Sequence, residues 1–160
     1  MRVLVLGVGN VLLSDEAIGV RVVEAFEKRF DVPDFVDVID GGTAGMELME
    51  AMANRDVMII VDAVLAPKSP GNVIILRDKE VPALFTNKIS PHQLGLADVL
   101  SALHLTDEFP KSLILVGIIP ESLEPNIGLT PTVEKSLDLA LDKVVEALRE
   151  ENISVTAKVN

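Results

Sequence analysis

The chain contains no cysteine, tryptophan or tyrosine, and only two histidines among its 160 residues. Without cysteine it has no disulfide, no thiolate nucleophile and no sulfur ligand for zinc. A metal site in this chain must therefore be built from carboxylate, imidazole or carbonyl groups. Apolar residues make up 49% of the sequence and only five of them are phenylalanine, so the core must be mainly aliphatic.

Basic residues are also scarce, since 14 Lys and Arg face 25 Asp and Glu and the net charge is −11. Such a surface repels phosphate backbones, so we expect no nucleic-acid partner, and solubility is the simpler explanation of the charge. The apolar run Arg2–Leu13 lacks the basic region and cleavage site of a signal peptide. No other stretch approaches the ~20 apolar residues of a membrane span. We therefore expect a cytoplasmic protein without membrane insertion.

Short, fully aliphatic runs alternate with amphipathic stretches along the chain. Runs of this kind are typical of strands covered on both faces. Their order predicts an α/β fold: a three-layer αβα sandwich around a five-stranded, mainly parallel twisted sheet. The predicted strands are Val3–Leu6, Val36–Ile39, Val57–Val61, Val73–Leu76 and Leu113–Gly117, and the predicted helices are Asp15–Phe30, Met46–Ala53, His92–Leu103 and Thr132–Arg149.

One connection predicts an antiparallel strand. The third and fourth predicted strands are joined through Pro67–Gly71 without a helix, and a parallel crossover needs a dozen or more residues. The length of the chain suits a single domain, which we place at residues 1–152. Residues 153–160 show no clear pattern, and we expect them to form a loose C-terminal tail.

Three side chains with ligand chemistry fall where strands end or a helix begins. Glu16 follows the first strand, Asp62 ends the third, and His92 opens the third helix. In open α/β sheets, ligands bind beyond the carboxyl ends of the strands, and consecutive crossovers bring the first and third strands together. Two carboxylates and an imidazole suit a first-row divalent metal with open positions, or acid–base work on a bound peptide.

Each of the three residues also has a purely structural explanation. Glu16 would complement the helix N-terminus, which is worth about 0.3–1 kcal/mol. Asp62 would cap a turn, because acids at strand ends often accept hydrogen bonds from the loop backbone. His92 would be an ordinary structural histidine. Their common position at one edge of the sheet favours the ligand interpretation.

A dinucleotide site is the competing interpretation of the first turn. Gly7–Gly9 begins the glycine fingerprint, and Asp40 ends the second strand, where an acid would bind the ribose. However, Leu12 occupies the position of the third glycine. Asp15 and Glu16 occupy the expected pyrophosphate position, where they would repel phosphate and attract a cation.

Several long motifs resemble those of the maturation endopeptidases of NiFe-hydrogenases. The match runs in order from residue 1 to about residue 150, and it is strongest with the hydrogenase-2 type of that family. The segments that carry the resemblance are Gly7–Gly19, Asp40–Gly45, Val61–Ala63, Ser90–Asp98 and Val116–Pro131.

The resemblance implies a specific reaction. Such an enzyme removes a short C-terminal peptide from the hydrogenase large-subunit precursor after nickel has been inserted. By the family pattern Glu16, Asp62 and His92 contact the metal and carry catalysis, and Asp40 contacts either those residues or the substrate. The resemblance also implies that nickel arrives with the substrate protein, and that cadmium or another divalent ion can replace it.

Two further expectations accompany this resemblance. The family is sometimes classed as aspartic-type, but a pepsin-like dyad needs two close carboxyls that share a proton, and here an imidazole intervenes. We expect Asp15 to cap or orient the first helix while Glu16 alone reaches the metal. A nickel-binding assembly chaperone without peptidase activity remains the alternative, because it would use the same ligands.

Overall fold

The computed structural model describes residues 1–85 and 91–159, except for the side chains of Pro91, His92 and Leu94. Single-turn 3-10 helices at Ser14–Ala17 and Met46–Leu48 precede the first two α-helices. The strands are β1 (Val3–Val8), β2 (Phe30–Asp31), β3 (Val36–Gly42), β4 (Val57–Ala63), β5 (Val73–Arg77), β6 (Ser112–Ile118) and β7 (Thr156–Ala157). The helices are α1 (Ile18–Arg29), α2 (Met49–Met52), α3 (Glu80–Phe85), α4 (Pro91–Leu105), α5 (Pro131–Glu134) and α6 (Leu137–Glu150).

The main sheet confirms the predicted fold class. Its five strands lie in the order β3-β1-β4-β6-β5. All neighbours are parallel except β5, which runs antiparallel to β6. The short link after β4 therefore leads into an antiparallel strand, as predicted. The first and third predicted strands, β1 and β4, are neighbours, with Gly7 beside Val61 in register.

The sheet separates two apolar clusters, because successive side chains of a strand point to opposite faces. On one face, Val5 and Ile59 belong to the cluster that α1 and α6 cover. On the other, Leu6 and Ile60 belong to the cluster that α4 covers, together with α3. Burial on both faces explains why the central strands β1, β4 and β6 are nearly continuous aliphatic runs. Among the described residues, no helix is both long and apolar enough to cross a membrane.

Helix α3 has no counterpart in the sequence prediction. It spans only six residues, and Pro82 lies in its first turn, where proline is tolerated. Its buried side chains, Val81 and Phe85, are four residues apart and so share one face. Two apolar positions beside a proline are too few to distinguish a short helix from a loop.

The expected loose tail is instead attached to the body of the protein. Ile153 and Val155 are buried, and β7 pairs antiparallel with β2. The guanidinium of Arg149 also donates to the carbonyl oxygen of Val155 at 2.9 Å. Two isolated apolar residues produce no periodic pattern, and only the partner strand β2 makes this segment regular.

Replacing Ile153 tests this attachment. Since Ile153 is only 2% exposed, Ile153→Ala should lower the free energy of unfolding by about 2–5 kcal/mol in urea denaturation. Val159→Ala is the control, because Val159 is 97% exposed and its truncation should leave stability unchanged within about 0.5 kcal/mol. Equal effects of the two substitutions would show that the segment is not packed as described.

Candidate functional site

The turn after β1 presents Glu16 through a close approach of two backbone segments. Gly9 has φ +138°, and a Cβ there would overlap the carbonyl oxygen of Glu16. Glycine at this position therefore lets the chain leave β1 and return against the turn Ser14–Ala17. The backbone N–H of Asn10 donates to Glu16 Oε1 at 3.3 Å, and Glu16 is buried. The carboxylate thus has a defined orientation.

The start of α1 lies equally close to the ends of the central strands. A Cβ on Gly19 would overlap the carbonyl oxygen of Val61 and lie 2.6 Å from that of Val8. Val61 directly precedes Asp62, and the turn that carries Glu16 packs against β4. The structure therefore places Glu16 and Asp62 at the same carboxyl edge of the sheet.

Asp62 is fully buried and receives a hydrogen bond from an amide side chain. Gln93 Nε2 donates to Asp62 Oδ2 at 2.9 Å and to the carbonyl oxygen of Ala63 at 2.7 Å. An amide nitrogen carries two hydrogens, so both are used. Gln93 is itself buried, which leaves its side chain little freedom. Gln93 therefore fixes the Asp62 carboxylate against the end of β4.

Sequence reasoning missed Gln93. A signal was available, because a buried carboxylate needs hydrogen-bond donors and Gln93 directly follows the candidate ligand His92. The pairing of Gln93 with Asp62 spans 31 residues, however, and no local pattern reveals it.

His92 lies beside Gln93 in the first turn of α4, and its side chain lies outside the described part of the structure. Two glycines bring this end of α4 close to the loop that follows β3. A Cβ on Gly95 would lie only 3.0 Å from the Cα of Gly45. Within the described residues there is no cluster of three or more metal-ligating side chains, so the proposed set of Glu16, Asp62 and His92 stays a prediction.

Asp40 lies on β3, beside Gly7 of β1. Its carboxylate is exposed, and Oδ1 accepts a hydrogen bond from the backbone N–H of Gly42 at 2.9 Å. This contact shapes the turn after β3. A contact between Asp40 and the ligands or the substrate stays a prediction.

Asp15 holds a distant loop rather than its own helix, which corrects the expected capping role. Its fully buried carboxylate accepts hydrogen bonds from the backbone N–H groups of Glu121, Ser122 and Thr130 at 2.8–3.1 Å. The Thr130 hydroxyl also donates to it, at 2.8 Å. The 3-10 turn directs Asp15 away from the amides of α1 and toward the loop 119–130 that follows β6.

Ser14 and Asn126 add three hydrogen bonds between the same two segments. Its hydroxyl donates to the carbonyl oxygen of Glu124 at 2.6 Å, and its N–H donates to that of Asn126 at 2.9 Å. The N–H of Asn126 donates in turn to the carbonyl oxygen of Leu12 at 3.0 Å. Ser14 has φ 50°, a left-handed conformation that costs about 1–2 kcal/mol without glycine. These hydrogen bonds offset that cost and join the loop 119–130 to the turn of Glu16.

Acidic side chains surround this edge of the sheet. Asp40, Glu121 and Glu124 are exposed on its loops. The pKa of the nearby Glu47 carboxyl is lowered, because the backbone N–H groups of Glu47 and Gly45 donate hydrogen bonds that stabilise its charged form. Lys68 is the one exposed base on the described loops of this edge, so acidic groups outnumber basic ones there. The edge suits a cation or a basic segment and does not suit the pyrophosphate of a dinucleotide.

Comparisons with known proteins identify the family and agree with the fold. A family model described as HycI, hydrogenase maturation protease, matches residues 20–147. The chain is 69% identical over 154 residues to the hydrogenase 2 maturation protease of Escherichia coli strain K12, covering 96% of this chain and 94% of that protein. It is 41% identical over 160 residues to the hydrogenase expression/formation protein HupD of Bradyrhizobium diazoefficiens, covering 98% and 83%. The solved structure of the hydrogenase maturating endopeptidase HybD from E. coli superposes with a TM-score of 0.96 at 67% identity, covering 99% of this chain and 98% of that one.

Replacing Asp15 tests its role in holding the loop. Asp15→Asn puts an NH2 group against buried donors, so it should lower the free energy of unfolding by about 3 kcal/mol. Hydrogen exchange at the amides of Glu121, Ser122 and Thr130 should accelerate. Asp138→Asn is the matched control, because the Asp138 side chain is 79% exposed and makes a surface ion pair worth about 0–1 kcal/mol. A loss no larger than that of the control would contradict this role.

Proposed function

The chain belongs to the hydrogenase maturation protease family, and we propose that it removes a short C-terminal peptide from the large subunit of a NiFe-hydrogenase after nickel insertion. The observation that carries this proposal is the edge where Glu16 and the Gln93-bound Asp62 lie together, beside the first turn of α4. It is supported by the 69% identity to the hydrogenase 2 maturation protease of E. coli. We place this reaction in the cytoplasm.

We propose Glu16, Asp62 and His92 as the residues that meet nickel carried by the precursor. The donor chemistry fits, because carboxylate and imidazole groups bind first-row divalent metals and the chain has no thiolate of its own. Three protein ligands leave positions open for groups of the substrate. A bound divalent ion supplies Lewis-acid polarisation of a carbonyl or activation of water. Recognition of nickel-loaded precursor and cleavage would then depend on the same side chains.

The chain's own residues contribute orientation and a low dielectric. The Asp62 side chain is shielded from solvent, and its hydrogen bond from Gln93 restricts its rotation. Glu16 is buried and held by the Asn10 N–H. Burial strengthens the interaction of both carboxylates with a positive charge. During hydrolysis, water adds to the scissile carbonyl, a carboxylate of this edge accepts its proton, and the proton passes to the leaving amine as the C–N bond breaks. This assignment differs from a pepsin-like dyad, in which two close carboxyls share a proton, because it includes the imidazole of His92 as a third member.

Conservative replacement of the three residues tests the assignment. Glu16→Gln, Asp62→Asn and His92→Gln should each lower cleavage of nickel-loaded precursor by at least about 100-fold, as followed by mass spectrometry. Asp138→Asn should cleave at the normal rate, because Asp138 is exposed on the outer helix α6. Nickel-free precursor should keep its full mass with every variant. Normal cleavage by all three site variants would refute the assignment, and a wild-type protein that binds but never shortens the precursor would favour a chaperone.

Gln93 should act through Asp62. Gln93→Leu removes both donors, and loss of a residue that orients a ligand typically costs 10–100-fold in activity. We therefore expect kcat to fall about 10- to 100-fold. Arg55→Leu is the control: Arg55 is also buried and also donates to backbone carbonyls, of Val3 and Ala51, but it lies at the opposite end of β4. It should lower the unfolding temperature without lowering kcat at a temperature where both variants are folded. Equal losses of kcat would show that Gln93 is only structural.

A further inference from the structure

Three large apolar side chains are exposed beside the candidate acids. Leu12 is 56% exposed and lies four residues before Glu16, while Leu65 is 47% exposed and lies three residues after Asp62. Ile127 is 74% exposed on the loop 119–130. These loops follow β1, β4 and β6, which are adjacent parallel strands, so all three begin at the carboxyl edge of the sheet. We call Leu12, Leu65 and Ile127 the apolar rim.

Backbone contacts connect two members of the rim. Leu13 and Asn126 form a parallel bridge, and the Asn126 N–H donates to the Leu12 carbonyl at 3.0 Å. Leu12 and Ile127 therefore stand on adjoining segments next to Glu16. Asp15 fixes both segments through its buried hydrogen bonds. Leu12 and Ile127 are therefore exposed on segments whose backbone is held by hydrogen bonds.

Single exposed apolar residues are common and need no explanation, but a group around a candidate site does. Of the other exposed large apolar side chains, Met46 lies in the 3-10 helix after β3 at the same edge of the sheet but does not neighbour either acid in sequence. The rest lie elsewhere: Met1, Phe35, Leu105, Leu139 and Val159. The rim is distinguished by its place, since its members flank Glu16 and Asp62 in sequence and share their edge of the sheet.

We propose that the apolar rim is the docking surface for the C-terminal segment of the precursor, an extended peptide that presents apolar side chains flanked by basic ones. This inference rests on the proposed function and specifies how the same site recognises its substrate. The apolar component follows from the rim itself. The basic component follows from the exposed Asp40, Glu121 and Glu124 on the neighbouring loops.

Electrostatic charge favours a basic peptide on the apolar rim over two other possible partners. A second copy of the chain, with its net charge of −11, would bring the same acidic loops against each other in a two-fold symmetric contact. An anionic membrane surface would be repelled in the same way. A basic, apolar peptide meets both features of the edge, and a peptide that reaches Glu16 and Asp62 passes the rim.

The experiment measures cleavage and binding of nickel-loaded precursor by Leu12→Ser, Ile127→Ser and the double variant. Each single substitution should raise KM and Kd about tenfold, since each removes a buried apolar contact in the complex, while kcat stays within about twofold. KM of the wild-type protein should also rise with salt, because attraction between the acidic loops and a basic segment is screened. The unfolding temperature should not change, because both side chains are exposed.

Leu105→Ser and Leu139→Ser are the controls, because these side chains are 89% and 49% exposed and lie on α4 and α6 away from the rim. They should leave KM and Kd unchanged. The proposal is overturned if the rim variants bind like the wild-type protein, if the controls weaken binding equally, or if kcat falls instead of affinity. It is also overturned if sedimentation shows a wild-type dimer that Leu12→Ser dissociates. Wild-type protein that binds precursor through the rim without cleaving it would refute the proposed function alone.

Discussion

The first turn of α1 lies against the backbone of the central strands at a distance that leaves no room for a side chain. Gly9 and Gly19 provide this contact, one against the carbonyl oxygen of Glu16 and the other against those of Val8 and Val61. The position of Glu16 relative to the end of β4 follows directly from it. Glycine weakens a helix by about 0.5–1 kcal/mol relative to alanine. Gly19 nevertheless occupies the second position of α1, which indicates that packing the helix backbone against β1 and β4 stabilises the protein by more than this loss.

Three buried carboxylates lie near this contact, and the protein stabilises them differently. Asp15 receives four hydrogen-bond donors from the loop 119–130, which makes it a structural anion. Asp62 receives the Gln93 amide, and Glu16 receives the Asn10 N–H. Burial of a charge is costly unless hydrogen bonds replace the lost water. Two adjacent acids, Asp15 and Glu16, thus serve different purposes, one holding a loop and the other presented at the edge of the sheet.

The loop 119–130 is bonded to the turn that carries Glu16, and it also carries Ile127 of the proposed docking surface. The loop 119–130 joins the end of β6 to the turn after β1. Although β4 separates β6 from β1 in the sheet, β6 therefore still helps to shape the surroundings of Glu16. Leu12 and Ile127 are exposed on two segments that backbone hydrogen bonds join, from Asn126 to Leu12 and from Ser14 to Asn126. An apolar surface of this kind is available to a partner without rearrangement, which reduces the entropy lost on binding.

Elements with a strong hydrophobic pattern could be predicted from the sequence. The aliphatic runs around Val5, Ile59 and Val116 predicted strands, and the helix-free link through Pro67–Gly71 predicted the antiparallel β5. The helix α3 and the attachment of Ile153 were not predicted, because each depends on one or two apolar contacts that leave no repeat in the sequence. Burial of Ile153 is decided by the partner surface of the fold and not by its neighbours along the chain.

The sequence by itself determined the fold class, the family and the identity of the acids at the strand ends, because these depend on local periodicity and on motifs that are contiguous in the chain. The tertiary structure decided what each acid contacts. The hydrogen bond from Gln93 to Asp62 spans 31 residues, and that from Glu121 to Asp15 spans 106. Contacts between such distant residues are set by how strands and loops pack, so neither the positioning role of Gln93 nor the loop-holding role of Asp15 is visible in the sequence pattern.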